Sequence, residues 1–217
     1  MNKIIENYQN ILNDIKQLNG KTNLVAVSKF QSCEKIRILL DLNHKIFAES
    51  RVEEAYEKWI DLKKYYDNLE LHYIGGIQSK KIKKIVDLFD VIESVDKISS
   101  LDKIESCAAE ANKIIRIFIQ INIGNEPQKS GVSLDELPEI YNKAKQYKHI
   151  ILEGFMCIPP NTQNVEPFFK KMIELKKTYN IKYLSMGMSN DYLTAIKFNS
   201  NFIRVGSYIF GQRKNPN

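Results

Sequence analysis

Cysteine and histidine are scarce: the 217 residues hold three of each, Cys33, Cys107 and Cys157 with His44, His72 and His149, all far apart. An odd cysteine count without paired spacing argues against a disulfide framework and a zinc site, so reduced structural thiols are expected. No carboxylate cluster stands beside the histidines at metal-ligand spacing, and no resident metal is expected. Apolar runs long enough to cross a bilayer are missing. The stretch from Met1 to Leu18 is too rich in Lys, Glu, Asp and Asn for a signal or transit peptide, so a cytoplasmic protein without membrane contact is expected. Low-complexity segments and long linkers are absent too. With 43% hydrophobic residues to core it, the chain is expected to form a single domain over residues 1–217.

What the chain has in excess is lysine, and its formal charge is +6. Lys80, Lys81, Lys83 and Lys84 form a local basic run of the kind that nucleic-acid binders carry. Lys, Ile and Asn are used heavily along the whole chain, however, and lysines spread over helix faces are ordinary solvated surface. No nucleic-acid partner is expected.

Short β-branched or aromatic runs alternate with longer stretches of helical periodicity, the pattern of parallel strands joined by helices. Strands are predicted at Leu24–Ser28, Lys45–Ala48, Leu71–Ile74, Val91–Val95, Ile115–Ile123, Leu152–Ile158, Tyr183–Met186 and Phe202–Val205. Helices are predicted at Cys33–Asp41, Val52–Lys64, Lys80–Phe89, Ser99–Ala111, Leu134–Gln146, Val165–Tyr179 and Asn190–Phe198, with an extra N-terminal helix over Asn2–Leu18. An open doubly wound sheet produces the same alternation. Eight strands, with the unusual polar and glycine residues gathered at or after strand ends, favour an α/β fold of TIM-type (β/α)8 barrel form, whose sites lie on that face.

Leu24-Val25-Ala26-Val27-Ser28-Lys29 puts a lysine at the rim directly after an apolar strand. Such a lysine is either a surface residue opening a loop or a Schiff-base amine made nucleophilic by burial or a nearby cation. Strands seven and eight run into Met186-Gly187-Met188-Ser189 and Arg204-Val205-Gly206-Ser207. In TIM barrels the loops after these two strands often cradle a phosphate with glycine N–H groups and hydroxyls. A phosphate cup is therefore predicted to face the lysine.

Ala26-Val27-Ser28-Lys29, Phe47 to Glu54, His72-Tyr73-Ile74-Gly75, Ser94-Val95-Asp96, Lys129-Ser130-Gly131-Val132, Ile158-Pro159-Pro160, Leu184 to Ser189 and Ile203-Arg204-Val205-Gly206 follow in order. The set resembles the pyridoxal-phosphate homeostasis protein family, the YggS/PROSC-type proteins, from about Leu24 to Gly211. The resemblance implies a fold-type III pyridoxal 5′-phosphate (PLP) barrel, similar to the N-terminal domain of alanine racemase. It implies that Lys29 forms the Schiff base, that Ser189, Gly206 and Ser207 hold the phosphate, and that Arg204 faces the pyridine nitrogen. On the family pattern His72 and Met186 line the pocket. Ser50 stands where the family usually has an asparagine, after Ala48 in place of a glycine, and Gly76 replaces a histidine. Ser50 offers one hydroxyl instead of an amide, so its cofactor contact is the weakest of the set.

The resemblance implies a carrier: a protein that binds PLP reversibly, buffers the free aldehyde and delivers it to apo forms of PLP-dependent enzymes, without turning over a substrate. Arginine at the ring nitrogen disfavours the pyridinium that most PLP catalysis relies on. The chain ends at Asn217, so no second domain supplying a catalytic tyrosine is expected, and a monomer is. The alternative is a racemase-like PLP enzyme using Tyr73, Tyr183, Tyr192 or Tyr208 as acid or base. A third reading is a barrel that has lost its cofactor through the changes at Ser50 and Gly76.

Overall fold

The computed structural model describes residues 3–212, so Asn2 of the expected N-terminal helix lies outside the described residues. Eight parallel strands pair in sequence order and the first pairs with the last, closing a barrel. These strands are β1 (Asn23–Val27), β2 (Ile46–Glu49), β3 (Glu70–Tyr73), β4 (Val91–Val95), β5 (Ile115–Ile121), β6 (Ile150–Cys157), β7 (Tyr183–Ser185) and β8 (Phe202–Val205). The four-residue register from Asn23↔Phe202 to Ala26↔Val205 excludes the open sheet.

Helix α1 (Lys3–Leu18) precedes β1. The connecting helices are α2 (Cys33–Asp41), α3 (Val52–Tyr65), α4 (Ile82–Leu88), α5 (Ile98–Glu110), α6 (Leu137–Ala144), α7 (Glu166–Thr178) and α8 (Tyr192–Lys197), and a short α9 (Ser207–Phe210) follows β8. The expected helix from Lys80 begins instead with a 3₁₀ turn, Ser79–Lys81. The helix expected from Leu134 starts a turn later: Ser133 and Glu136 exchange bonds between hydroxyl, carboxylate and backbone N–H, and Pro138 sits in the first turn.

Asparagine does much of what glycine usually does at helix ends. Asn43, Asn112, Asn180 and Asn199 all have positive φ just past a helix. The N–H of the following residue reaches back to close the end in each case: His44 to Leu39, Lys113 to Ala108, Ile181 to Lys176 and Ser200 to Ala195. Asn tolerates the left-handed region better than other side chains, so a chain with nine glycines still makes its helix-to-strand turns cleanly.

Strand residues alternate between two cores. Outward residues such as Leu24, Phe47, Leu71, Ile117, Phe155 and Ile203 pack under the helices, whereas Val25, Val27, Ala48, Val91, Phe118, Met156 and Phe202 fill the barrel interior. In the same inward phase, polar side chains stand on β3, β4, β5, β7 and β8. Helix α1 packs beside α2, α8 and α9. Asn7 Nδ2 donates to Tyr208 O (2.7 Å) and Tyr192 OH donates to Asp14 Oδ2 (2.7 Å), so α1 braces the two elements that follow β7 and β8.

Candidate functional site

At the C-terminal mouth of the barrel lies a cavity of about 290 Å³. Lys29, Arg204, Ser189, Gly206 and Ser207 line it, with Gln31, Asn190 and Gly211 among them and Val27, Ile74, Met156, Ile158 and Met188 as apolar wall. Among the described residues two cations and no carboxylate face this space, an arrangement that attracts a small anion carrying an apolar body.

Lys29 continues the inward phase of Val25 and Val27, and the strand end that bears it is held from behind. Ser28 Oγ donates to Glu49 Oε1 (2.7 Å), and Lys58 Nζ donates to the Ser28 carbonyl (2.9 Å). Lys58 also pairs with Glu49 (2.7 Å) and Glu54 (2.8 Å), and Glu54 accepts the Phe30 N–H. Phe30 turns the chain away at φ 63° under the Arg51 guanidinium, which sits 4.6 Å from its ring centre. A phenylalanine in the left-handed region is uncommon, and this cluster is what keeps it there.

Across the β8–β1 seam, Gly206 packs so close that a Cβ on it would lie 2.9 Å from the Val27 carbonyl oxygen. Gly187, at φ 100°, lets the loop after β7 lie against α8, where a Cβ would meet that of Ala195 at 2.5 Å. Asp191 Oδ1 accepts the Met188 N–H and Ser189 Oγ accepts the Tyr208 N–H (3.3 Å), tying this loop to the start of α9. Ser189, Gly206 and Ser207 thus meet at one end of the cavity.

Arg204 is 4% exposed and held on three sides. Nη1 donates to Ser185 Oγ (2.7 Å) and lies 3.7 Å from Glu93 Oε2, and Nη2 donates to the Cys157 carbonyl (2.8 Å). Below it, Glu93 meets His72 Nδ1 (2.5 Å), His72 Nε2 meets Glu70 (2.6 Å), and Arg116 bonds Glu70 (2.7 Å). Burial disfavours charge on His72, but the two glutamates outweigh it and raise its pKa to about 9. Burial alone would raise Glu70, yet His72 and Arg116 bring it down to about 2. The interior therefore carries alternating charges from the cavity toward the opposite mouth.

Of the residues expected at the site, Lys29, Ser189, Arg204, Gly206 and Ser207 share this cavity. His72 lies beneath it in the ion chain, Met186 points outward into the core under the helices, and Ser50 packs its backbone against Gly75. Gly76 lies by a neighbouring depression with Ser94 and Asp96. Glu93 and Ser185 were not anticipated. A glutamate in the middle of Val91-Ile92-Glu93-Ser94-Val95 was the available signal, since a charge at the inward phase of a buried strand needs a partner.

Among the described residues no group of His, Cys, Asp and Glu is arranged to hold a metal, the three cysteines are free, and no helix is long and apolar enough to cross a membrane. Lys80, Lys83 and Lys84 are exposed on the turn after β3 and on α4, while Lys81 pairs with Glu53 (3.0 Å).

Residues 1–214 match the profile of the alanine racemase N-terminal domain family. A pyridoxal phosphate homeostasis protein of Aquifex aeolicus is 31% identical over 99% of this chain and 97% of its own length. PipY of Synechococcus elongatus, solved without PLP and with PLP bound, superposes with TM-scores of 0.87 and 0.82 at 28% identity, over 96% of this chain and all of PipY. Alanine racemase of Clostridium difficile shares the fold at TM-score 0.75 and 17% identity; this chain matches it along its whole length and covers 61% of the racemase.

Proposed function

The chain belongs to the alanine racemase N-terminal domain family and, within it, to the pyridoxal phosphate homeostasis proteins, and from that premise we propose that it binds PLP at the barrel mouth and serves its homeostasis without turning over a substrate. One observation carries the reading: a cavity lined by Lys29, Arg204 and hydroxyl-bearing residues, with apolar walls and, among the described residues, no carboxylate. PLP, when bound, supplies an aldehyde that condenses with a primary amine, and its other end is a phosphate dianion. Lys29 is the amine. Ser189, Ser207 and the backbone at Gly206 receive the phosphate, and Arg204 faces the ring nitrogen. The residues fit the group: the lining sets a primary amine and a guanidinium beside two hydroxyls on apolar walls, the donor set that an anionic aldehyde with an apolar ring requires.

The nature of Arg204 and the fate of the tyrosines support carriage over catalysis. A fixed guanidinium cannot accept a proton from the ring and opposes a pyridinium. None of Tyr73, Tyr183, Tyr192 and Tyr208 is among the cavity-lining residues. Tyr73 OH donates to Gly76 O (3.0 Å), and burial pushes its pKa up to about 12; Tyr192 is bound to Asp14. In this reading the protein is a cytoplasmic, single-domain monomer that buffers PLP and hands it to apo-enzymes.

Borohydride reduction tests it. Protein incubated with PLP is expected to show a visible absorption band that reduction abolishes, with the cofactor mass fixed on Lys29 by peptide mapping. Lys29→Ala should lose the band entirely, and loaded wild-type protein should exchange no α-proton of added alanine. Attachment at another lysine, or racemisation that depends on Lys29, sinks the respective half of the proposal. A second expectation concerns rate: replacing Lys80, Lys81, Lys83 and Lys84 by Gln should slow PLP association several-fold at low salt and flatten its salt dependence. An unchanged rate and salt slope would leave that run as ordinary surface.

A further inference from the structure

Glu93 sits where a glutamate is costly. It is completely buried on β4, and an apolar residue there would avoid the loss of solvation. The strand nonetheless bends to present it. Between the pairs Ile92↔Ile117 and Val95↔Ile119 the register shifts, β4 advancing one residue more than β5, and Glu93 lies in that irregular stretch. Such bulges re-aim a side chain, and they concentrate beside functional sites. This one delivers a carboxylate under the arginine of the cavity.

Both oxygens of that carboxylate are engaged. Oε2 accepts from Ser185 Oγ (2.6 Å), whose oxygen in turn accepts from Arg204 Nη1 (2.7 Å). Oε1 meets His72 Nδ1 (2.5 Å). The Ser185 hydroxyl has one proton and gives it to Glu93, so it is left only an acceptor for the guanidinium. The pattern from Glu93 through Ser185 to Arg204 thus has a single direction, and with the Nη2 bond to the Cys157 carbonyl it anchors both terminal nitrogens of the guanidinium.

We propose that Glu93 is a positioning residue for Arg204: acting through Ser185 it holds the guanidinium in place and offsets its charge, and in doing so it sets the electrostatic field at the ring nitrogen of bound PLP. This rests on the reading that Arg204 faces that nitrogen. Glu93 lies against Arg204 and His72 lies one residue further off, so loss of the Glu93 charge makes the field at the cofactor more positive even where His72 gives up its proton in response.

The experiment is a pH titration of the visible absorption of PLP-loaded protein, with urea unfolding run in parallel. Glu93→Gln is expected to lower the midpoint of that titration by about half a unit to one unit, and Ser185→Ala to lower it by a smaller amount. In an Arg204→Gln background the Glu93→Gln shift should be smaller than in the wild-type background, a coupling that a glutamate serving only as a partner of His72 does not produce. If Arg204→Gln moves the midpoint and neither Glu93→Gln nor Ser185→Ala does, Glu93 is only a buried partner of His72 and the proposal falls. If none of the three moves it while the cofactor still attaches to Lys29, the placement of Arg204 fails and takes the proposal with it. Should Glu93→Gln not fold, Ser185→Ala alone decides.

Discussion

Lys58→Met is expected to lower the free energy of unfolding by about 3–5 kcal/mol and to weaken PLP attachment at Lys29, although residue 58 touches no part of the cavity. Lys58 and Glu49 are 8% and 0% exposed at the side chain, so this is a buried ion pair, and removing one partner strands the other. Glu49 Oε1 already takes Ser28, Trp59 and Lys58, while Oε2 has no hydrogen-bond partner among the described residues. Burial pushes the Glu49 carboxyl up and Lys58 is the main force holding it back. Without Lys58 that carboxyl takes up a proton at still higher pH in the folded protein. The destabilisation should therefore grow as pH rises above 4.5, because the folded variant holds a proton that the unfolded state releases near 4.5.

The link to function runs through three atoms. Lys58 bonds the Ser28 carbonyl, Glu49 bonds the Ser28 hydroxyl, and Glu54 holds the Phe30 amide, so the residues on both sides of Lys29 are fixed by one cluster. Urea unfolding followed by circular dichroism, with the rate of band formation on adding PLP, measures both effects. Adding Glu49→Gln to Lys58→Met should recover part of the stability, since no charge is then left unpaired. A Lys58→Met protein with the wild-type urea midpoint would mean the cluster holds nothing.

The sequence made the barrel legible because two periodicities repeat eight times without interruption. It made Lys29, Arg204 and the Ser189 and Gly206 loops legible because each falls just at or after a strand end, where the topology gathers residues on one face. Strand limits shifted by a residue or so at Asn23, Glu49 and Glu70, where polar residues join the ladder for tertiary reasons. Helix α9 is not among the predicted helices, since four residues carry no period. The support layer was harder to see. Glu49 and Lys58 are nine residues apart on different elements, and Glu93 and Ser185 are joined only by barrel closure, so no local pattern pairs them. Asparagine misled most: what looked like a compositional habit includes the residues that end four helices.

Two histidines should give the stability of the protein a maximum near pH 6.5. His72 has its pKa raised to about 9, against an ordinary 6.5 when unfolded. Its proton is retained in the folded state and lost from the unfolded state between those values, so stability is full below 6.5 and falls as pH rises toward 9, by about 3 kcal/mol. His44 acts in the opposite sense. It is buried between Tyr8 and Phe47 with Nε2 donating to Ile46 O (2.8 Å), and burial lowers its pKa to about 4. The unfolded state then takes up a proton first as pH falls below 6.5, and stability declines toward pH 4. Glu70, held down to about 2, adds a further loss between 4.5 and 2. Urea midpoints measured from pH 4 to 9.5 should trace this dome, with His72→Gln flattening its alkaline limb and His44→Gln its acid limb. An alkaline limb that survives in His72→Gln would mean that His72 is neutral in the folded barrel. The field under Arg204 would then come from Glu93 and Glu70 without an imidazolium between them, and the alternation of charge through the interior would be broken at its centre.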